Sequence, residues 1–165
     1  MTRARFLGGM REVAAADWNA LAGRDYPFLR HEFLRVLEDS GSVGGESGWE
    51  PHHLLLHEGA RLVGAMPCYL KQHSYGEYVF DWSWADAYRR HGEPYYPKLL
   101  SAVPFTPAAG PRLLLAEGLA FADLKDELLA TVREEMARLG ASSWHLLFPE
   151  QPVAPGRGDT RPPDP

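Results

Sequence analysis

The 165-residue sequence contains a single cysteine, Cys68, and no long apolar run. One thiol cannot form a disulfide within the chain, so disulfides do not stabilise the folded chain. The N-terminal residues lack the apolar segment of a secretory signal, and no stretch approaches eighteen consecutive apolar residues. These absences predict a protein without an integral membrane segment, and we expect it to act in the reducing cytoplasm.

Clusters of basic residues are also absent. The chain carries 17 basic and 22 acidic residues, and its longest basic run is the pair Arg89–Arg90. A protein that binds nucleic acid through its phosphates presents a basic surface, so we do not expect DNA binding.

Motifs of several common catalytic sites are missing. The chain has neither glycine-rich phosphate loop, GxGxxG or GxxxxGK(S/T), and no GxSxG nucleophile motif. His52, His53 and His57 lie close together in the sequence, but no cysteine or acidic residue stands at a spacing typical of a metal site. We therefore expect no bound metal and predict solvated or capping roles for these histidines.

The periodicity of apolar residues predicts helices and strands in a definite order. A strand is expected over 3–8, helices over about 11–23 and 28–39, and a hairpin that turns at Glu58-Gly59-Ala60. Pro67 indicates an edge or a bulge in the second hairpin strand. Further on, the patterns predict a strand at 77–80, a short helix within 81–92, a strand at 111–115, a long helix at 121–139 and a strand at 142–148.

This order predicts an α+β (mixed α/β) domain over residues 1–150. An antiparallel meander is followed by a βαβ unit, in which the strands before and after the long helix run parallel. Residues 151–165 hold five prolines and no apolar periodicity, so we expect a disordered tail. Because a parallel strand is normally flanked by further structure, we expect a truncated or frame-shifted chain.

Eight of the nineteen aromatic residues fall within residues 77–107. Five prolines exclude a long helix over 93–111, and a long irregular loop runs over the protein surface. Aromatic side chains with polar tips suit a cleft that is apolar on one side and wet on the other, although Phe80 and Phe105 are expected in the core. The acid–base candidates in this segment are Asp81, Asp86, Glu93, Tyr88, Tyr95 and Tyr96.

Three segments contain uncommon sequences: "PFLRHEFLRVLEDSGSVG" (27–44), "EYVFDWSWADAYRRHGEPYYPKLLSAVPFTPAAGPRLL" (77–114) and "SSWHLLFPE" (142–150). Through them, residues 1–152 resemble the bacterial FemAB-like family of peptidoglycan biosynthesis/recognition proteins and GNAT-type N-acetyltransferases. The resemblance implies a GNAT-like (acyl-CoA N-acyltransferase-like) domain, the first of two such halves. It also implies a strand near 103–106, with the helix at 121–139 beneath an acyl-CoA pyrophosphate.

The resemblance implies an acyl- or aminoacyltransferase that acts on the amine of a small molecule or cell-wall precursor. Its donor would be acyl-CoA or aminoacyl-tRNA, although the usual acetyl-CoA signature, Gln/Arg-x-x-Gly-x-Gly/Ala, is absent. Asp81 and Asp86 would orient the amine, and Arg112 would bind an anionic group. The expected substrate-binding residues are completed by Trp82, Trp84, Tyr88, Tyr95, Tyr96 and Lys98.

The family's second half is absent from this sequence, so the missing C-terminal GNAT-like half would be a partner of the chain. Two alternatives remain open at this point. The aromatic segment could belong to a non-catalytic module that binds glycan or peptide, or the chain could be an inactive truncated fragment.

Overall fold

The computed structural model describes residues 2–150, which form an α+β domain of four α-helices and two four-stranded sheets. The helices are α1 (Ala15–Ala22), α2 (His31–Asp39), α3 (Trp82–Arg90) and α4 (Phe121–Leu139). The strands are β1 (Thr2–Leu7), β2 (Trp49–Pro51), β3 (His53–Glu58), β4 (Arg61–Met66), β5 (Tyr69–Lys71), β6 (Lys98–Ser101), β7 (Leu114–Leu115) and β8 (Trp144–Leu146).

The first sheet has the order β1-β3-β4-β7, and all of its strand pairs are antiparallel. The predicted hairpin is confirmed, with Gly59 at φ 58° in the turn between β3 and β4. Because strand side chains alternate, Leu54 and Leu56 join the apolar cluster of α4, whereas Leu55 joins the cluster of α1 and α2. Helices therefore cover both faces of this sheet.

The second sheet has the order β2-β5-β6-β8, and its last pair, β6 and β8, is parallel. The chain first enters this sheet at β2 and returns to it at β5, after Pro67 and Cys68, which separate β4 from β5. Trp49, Tyr69 and Leu100 form the centre of its apolar cluster.

The predicted βαβ unit was wrong in its pairing. The strand before α4, β7, pairs antiparallel with β4, and the parallel partner of β8 is β6. Sequence reasoning missed β6 because this strand has only four residues and lies between two prolines, which interrupt strands. Pro97 directly precedes it, and two residues separate its end from Pro104. A parallel strand–helix–strand connection still exists, but it runs from β6 through α4 to β8.

Other predictions had mixed outcomes. Helix α4 has the predicted bounds; Asp123 accepts a hydrogen bond from the Ala120 N–H at 2.8 Å, and Gly140 ends the helix at φ 66°. Helix α2 begins at His31, after a separate 3-10 turn at Pro27–Leu29. No strand occupies 77–80 or 103–106. Residues 77–80 have no regular structure, and residues 103–106 form a turn in which the Thr106 N–H donates to the Val103 carbonyl.

None of the helices within residues 2–150 has the length and hydropathy needed to cross a bilayer. The predicted disordered tail, residues 151–165, lies outside the described residues.

Gly110 provides a test of the packing beside β8. Its N–H donates to the Phe148 carbonyl at 3.1 Å, and an added Cβ would lie 2.3 Å from Tyr26 Cζ. Since an aromatic ring cannot bend away, Gly110→Ala should lower the free energy of unfolding in urea by about 1–3 kcal/mol. Adding Tyr26→Ala removes the clash, so the two effects should be non-additive. Unchanged stability of Gly110→Ala would contradict this packing.

Candidate functional site

Two lysines stand opposite each other on neighbouring strands of the second sheet. Lys71 on β5 pairs in register with Lys98 on β6, and both side chains are fully buried. Directly opposed residues of an antiparallel pair lie on the same face of a sheet, where like charges are destabilising. This pair therefore requires carboxylates close by.

The carboxylates come from the segment that connects β5 to α3. Lys98 Nζ donates to Glu77 Oε2 at 2.8 Å and to Asp81 Oδ2 at 2.7 Å. Lys71 Nζ lies 3.9 Å from Glu77 Oε1, donates to the Tyr75 carbonyl at 3.0 Å and sits 3.8 Å from the Trp49 ring centroid. Both carboxylates are buried, so the ion cluster (Lys71, Glu77, Asp81 and Lys98) balances two positive charges with two negative ones.

The surroundings shift several pKa values in this cluster. Burial lowers the pKa of Lys71 from 10.5 to about 8, against the opposing attraction of Glu77. Burial also raises the pKa of Glu77, although its contacts with Lys98 act the other way. At Asp81 burial is outweighed by hydrogen bonds from Lys98 and Tyr95, and the pKa of this carboxyl is held below its usual value. Asp81 is therefore a fixed negative charge and a poor general base.

Lys98 also anchors two tyrosine hydroxyls through one intervening side chain each. Tyr95 OH donates to Asp81 Oδ2 at 2.5 Å; desolvation, and after it this hydrogen bond, raises the pKa of the phenol. On the other side, Lys98 Nζ donates to Ser74 Oγ at 2.9 Å, and a 2.7 Å hydrogen bond joins Ser74 Oγ to Tyr96 OH. The ammonium further lies 5.4 Å from the Tyr95 ring and 5.7 Å from the Tyr96 ring.

The two tyrosines form one wall of a surface cavity of about 1020 Å³. Its other walls are α3 and the turn that follows the helix. Asp86 reaches this cavity but is paired with Arg90 at 3.0 Å and with Arg89. Glu93 also lines the cavity, and it forms no ion pair within residues 2–150.

The structure brings most of the predicted site residues together. Four of them line the cavity: Trp82, Asp86, Tyr95 and Tyr96. Three others surround this wall without lining the cavity. Asp81 and Lys98 lie behind the tyrosines, and Tyr88 packs edge-on against Tyr95 at 5.2 Å. Trp84 is outside the cavity and 66% exposed.

Arg112 lies away from this cavity and is buried. Its guanidinium donates to the carbonyls of Leu147 at 2.8 Å and Ala108 at 2.7 Å, and to the Pro111 carbonyl at 3.0 Å. These bonds tie the loop before β7 to the end of β8. Arg112 also borders a second, mainly apolar cavity of about 490 Å³ between α4 and β8. Anion binding at Arg112 stays a prediction, and these bonds favour a structural role.

The expectation that Phe80 and Phe105 belong to the core was wrong. Phe80 is 84% exposed and Phe105 is 41% exposed. The segment 77–80 is not a strand, so its side chains do not alternate between core and solvent. Glu77 and Asp81 turn inward to Lys98, and Phe80 between them points to solvent.

Histidines supply no metal site in the part of the chain that the structure describes, since no three metal-ligating side chains come together there. His53 is fully buried and hydrogen-bonded to Glu38 Oε1 at 2.8 Å, which contradicts a solvated role. His52 Nε2 is hydrogen-bonded to Glu135 Oε1 at 2.6 Å.

Sequence reasoning missed Lys71, Ser74 and Glu77. A lysine within the apolar run "CYLK" is a signal for a buried cation, and "PKLLS" gives the same signal for Lys98. Their pairing could not be found, because it depends on the register of β5 against the unrecognised strand β6. Nothing in the local sequence distinguishes Glu77 from a surface carboxylate.

Comparisons with known proteins give one family match. A model of the FemAB-like family, described as peptidoglycan biosynthesis/recognition, matches residues 9–157. No curated protein shows a significant match to the chain.

Removing the ammonium of Lys98 tests the ion cluster. Lys98→Met leaves Glu77 and Asp81 buried with one cation, and it should lower the free energy of unfolding by about 3–5 kcal/mol. Adding Asp81→Asn restores charge balance, so the double variant should be more stable than Lys98→Met alone. Lys125→Met, at an exposed position of α4, is the matched control. If Lys98→Met resembles this control in urea unfolding, the cluster does not support the fold.

The lowered pKa of Lys71 predicts how stability changes with pH. The folded chain releases this proton at about pH 8 and the unfolded chain near 10.5, so the unfolded chain holds more protons between these values. Stability should therefore rise with pH across this window, by roughly 3 kcal/mol from Lys71. The measurement is the unfolding free energy of the natural sequence minus that of Lys71→Met at several pH values. A difference that falls with pH would refute the assignment.

Proposed function

The chain belongs to the FemAB-like family of peptidoglycan biosynthesis/recognition proteins, and we propose that it is the acceptor-binding half of an acyl- or aminoacyltransferase. The order of its elements supports a GNAT-like fold, with α4 between the parallel strands β6 and β8. The C-terminal GNAT-like half is the proposed partner, and the cytoplasm is the proposed compartment.

The observation that carries this proposal is the cavity beside α3, which combines aromatic walls with side chains of both charges. Glu93 lines the cavity without an ion pair among residues 2–150, so its carboxylate is proposed to bind the amine of an acceptor. Arg89 and Arg90 each contact Asp86 through one nitrogen, and the remaining N–H groups of these exposed guanidinium groups suit the carboxylates of a peptide. A peptidoglycan precursor carries these groups together: a peptide with carboxylates and, in many cases, a side-chain amine.

The proposed reaction is the attack of a neutral amine on an activated acyl carbonyl. The C–N bond forms, the bond from the carbonyl to the donor's sulfur or oxygen breaks, and the proton that the amine releases ends on the departing thiolate or alkoxide, which leaves as a thiol or a hydroxyl. Glu93 is the residue proposed to receive that proton, directly or through water. Asp81 and Asp86, predicted to orient the amine, are engaged by Lys98 and by two arginines. The role proposed for Asp81 is therefore to hold the Tyr95 hydroxyl in place at the cavity wall.

The donor is proposed to be acyl-CoA or aminoacyl-tRNA. The second cavity, beside the first turns of α4, is mainly apolar and offers room for an acyl group. Strand β8 separates it from the site of the acceptor: Trp144 and Leu146 face the second cavity, whereas His145 packs toward Tyr95 at 6.1 Å between ring centroids. Transfer would therefore take place around the edge of this strand, which is where the partner half would contribute.

A second candidate function is recognition of peptidoglycan without catalysis. The lowered pKa of Asp81 and the pairing of Asp86 with two arginines leave few free bases beside the cavity, which favours this alternative. An inactive fragment is the third alternative.

Binding of a soluble muramyl peptide with a free side-chain amine tests the acceptor site. Calorimetry should detect binding to the natural chain, and Glu93→Gln should weaken it roughly 10-fold or more, because a charge-assisted hydrogen bond contributes about 1.5–3 kcal/mol. Acetylating the peptide amine should have a similar effect. Glu58→Gln, at an exposed position of the first sheet, is the matched control.

Failure of the chain to bind this peptide would contradict the proposed function. Mass spectrometry after incubation with acetyl-CoA or an aminoacyl-tRNA, with and without a C-terminal half from a full-length relative, separates transfer from recognition. An acyl product on the peptide amine supports the transferase, and binding without any product supports recognition.

A further inference from the structure

A serine and a histidine form a hydrogen-bonded pair at the start of β8. Ser143 Oγ lies 2.8 Å from His145 Nε2, and both side chains are half-buried. Residues two apart in an extended strand place their side chains on the same face, so the sequence Ser-Trp-His brings the two groups together. A hydroxyl within hydrogen-bond reach of an imidazole is the arrangement of a nucleophile and its base.

The backbone around this pair is fixed to β6 and to the residues before it. The Ser142 N–H donates to the Pro97 carbonyl at 2.8 Å, and the Leu99 N–H donates to the Ser143 carbonyl at 2.8 Å. The Ser142 hydroxyl is also engaged, since it donates to the Tyr95 carbonyl. The hydroxyl and the imidazole therefore stand on a strand held in register, which keeps their mutual geometry constant.

The groups packed against His145 keep it able to accept a proton. Burial lowers the pKa of this imidazole below its usual 6.5, and the ammonium of Lys98 on β6 lowers it further, against the opposing effect of Asp81. The Tyr95 ring packs edge-on against it at 6.1 Å. His145 is thus neutral at neutral pH, and the carboxylate of Asp81 favours the imidazolium that forms when it accepts a proton.

A donor for a developing oxyanion lies directly beside Ser143. The Ser143 carbonyl points toward β6, where it accepts from Leu99. The carbonyl and the N–H of one trans peptide point in opposite directions, so the Trp144 N–H of the same peptide points away from β6. Since β8 is the last strand of its sheet, this N–H lies at the outer edge. A backbone N–H that follows the nucleophile is a common oxyanion donor.

The pair also lies between the two cavities. Tyr95, which contacts His145, lines the first cavity, and Trp144, which stands between the two residues of the pair in the sequence, lines the second. The second cavity is mainly apolar. An acyl group that occupies it would therefore bring its carbonyl carbon close to the strand that carries Ser143.

We propose that Ser143 is a nucleophile that accepts an acyl group from an activated ester or thioester, with His145 as its base. In the imidazole tautomer with the proton on Nδ1, Nε2 accepts the proton of the Ser143 hydroxyl as Oγ forms a C–O bond to the acyl carbonyl. The bond from the carbonyl to the leaving group's sulfur or oxygen breaks, and the imidazolium returns the proton to the departing thiolate or alkoxide.

Water then hydrolyses the acyl-serine in the same manner. His145 accepts a proton from water, the C–O bond to Ser143 breaks, and Ser143 recovers its proton while a carboxylic acid leaves. The inference goes beyond the proposed function, because acylation of the chain itself needs neither Glu93 nor an amine acceptor.

The test uses p-nitrophenyl acetate and the full chain in a buffer without amines. Absorbance follows the release of nitrophenolate, and mass spectrometry of peptides locates the acetyl group. We expect a burst of nitrophenolate and an acetyl ester on Ser143, and Ser143→Ala should remove both. Ser42→Ala, at an exposed position between α2 and β2, is the matched control and should react like the natural sequence.

The substitution His145→Gln tests the base separately. Glutamine keeps a polar side chain but cannot accept the proton, so acetylation of Ser143 should slow about 100-fold or more. In the natural chain the rate should rise with pH and reach half of its maximum below pH 6.5, because the neutral imidazole is the active form. Urea unfolding of each variant shows whether a loss of reactivity comes from a loss of the fold.

Three results would overturn the inference: acetyl groups on lysines but none on Ser143, a Ser143→Ala variant that releases nitrophenolate like the natural chain, or an unchanged rate in a folded His145→Gln variant. Calorimetry with the muramyl peptide keeps this outcome distinct from that of the proposed function. Binding that depends on Glu93, without acetylation of Ser143, refutes the inference alone. Acetylation of Ser143 without binding of the peptide refutes the proposed function alone.

Discussion

The hydrogen bonds and ion pairs of the buried Lys98 ammonium are the interactions on which the second sheet and the segment above it depend. The ammonium lies at the centre of a face of the second sheet and contacts Ser74, Glu77 and Asp81 at hydrogen-bond distance. All three belong to the connection between β5 and α3. This connection contains no regular structure before α3, so its position over the sheet comes from these bonds and from its packing on Trp49 and Phe105.

The same ion cluster determines what the surface presents. Because Glu77 and Asp81 turn inward, the aromatic residues between and beside them turn outward, and α3 begins directly after Asp81. Because Asp81 and Ser74 hold the hydroxyls of Tyr95 and Tyr96, the wall of the cavity is fixed as well. The ion cluster thus positions both the wall of the cavity that is proposed to bind the acceptor and the exposed aromatic side chains beside it.

Much of the fold follows from apolar periodicity. The spacing of Leu124, Leu128 and Val132 predicts α4 with its bounds, and the hairpin turn at Gly59 is visible in the sequence. Strand β6 is not visible, because its four residues lie among prolines and it gains its stability from β5 and β8 rather than from local preference. Once β6 was missed, the parallel partner of β8 was assigned to the wrong strand.

Several residues of the candidate site could be predicted from the sequence, but the contacts between them could not. Local sequence singles out Trp82, Asp86, Tyr95 and Tyr96, which do meet at the cavity. It cannot show that Asp81 is a buried partner of Lys98 or that Glu93 forms no ion pair within residues 2–150, because both depend on contacts between segments. The opposition of Lys71 and Lys98 on neighbouring strands becomes visible only when the register of β5 against β6 is known.

The ion cluster sets the position of the cavity wall, and the substitution Ser74→Ala tests this claim. This change frees the Tyr96 hydroxyl from Lys98 but leaves both carboxylate contacts of the ammonium in place. The measurement is the affinity of the variant for the soluble muramyl peptide beside its free energy of unfolding. We expect affinity to fall several-fold while the free energy of unfolding falls by about 1–3 kcal/mol, less than for Lys98→Met. Unchanged affinity, or a loss of stability as large as that of Lys98→Met, would contradict the claim.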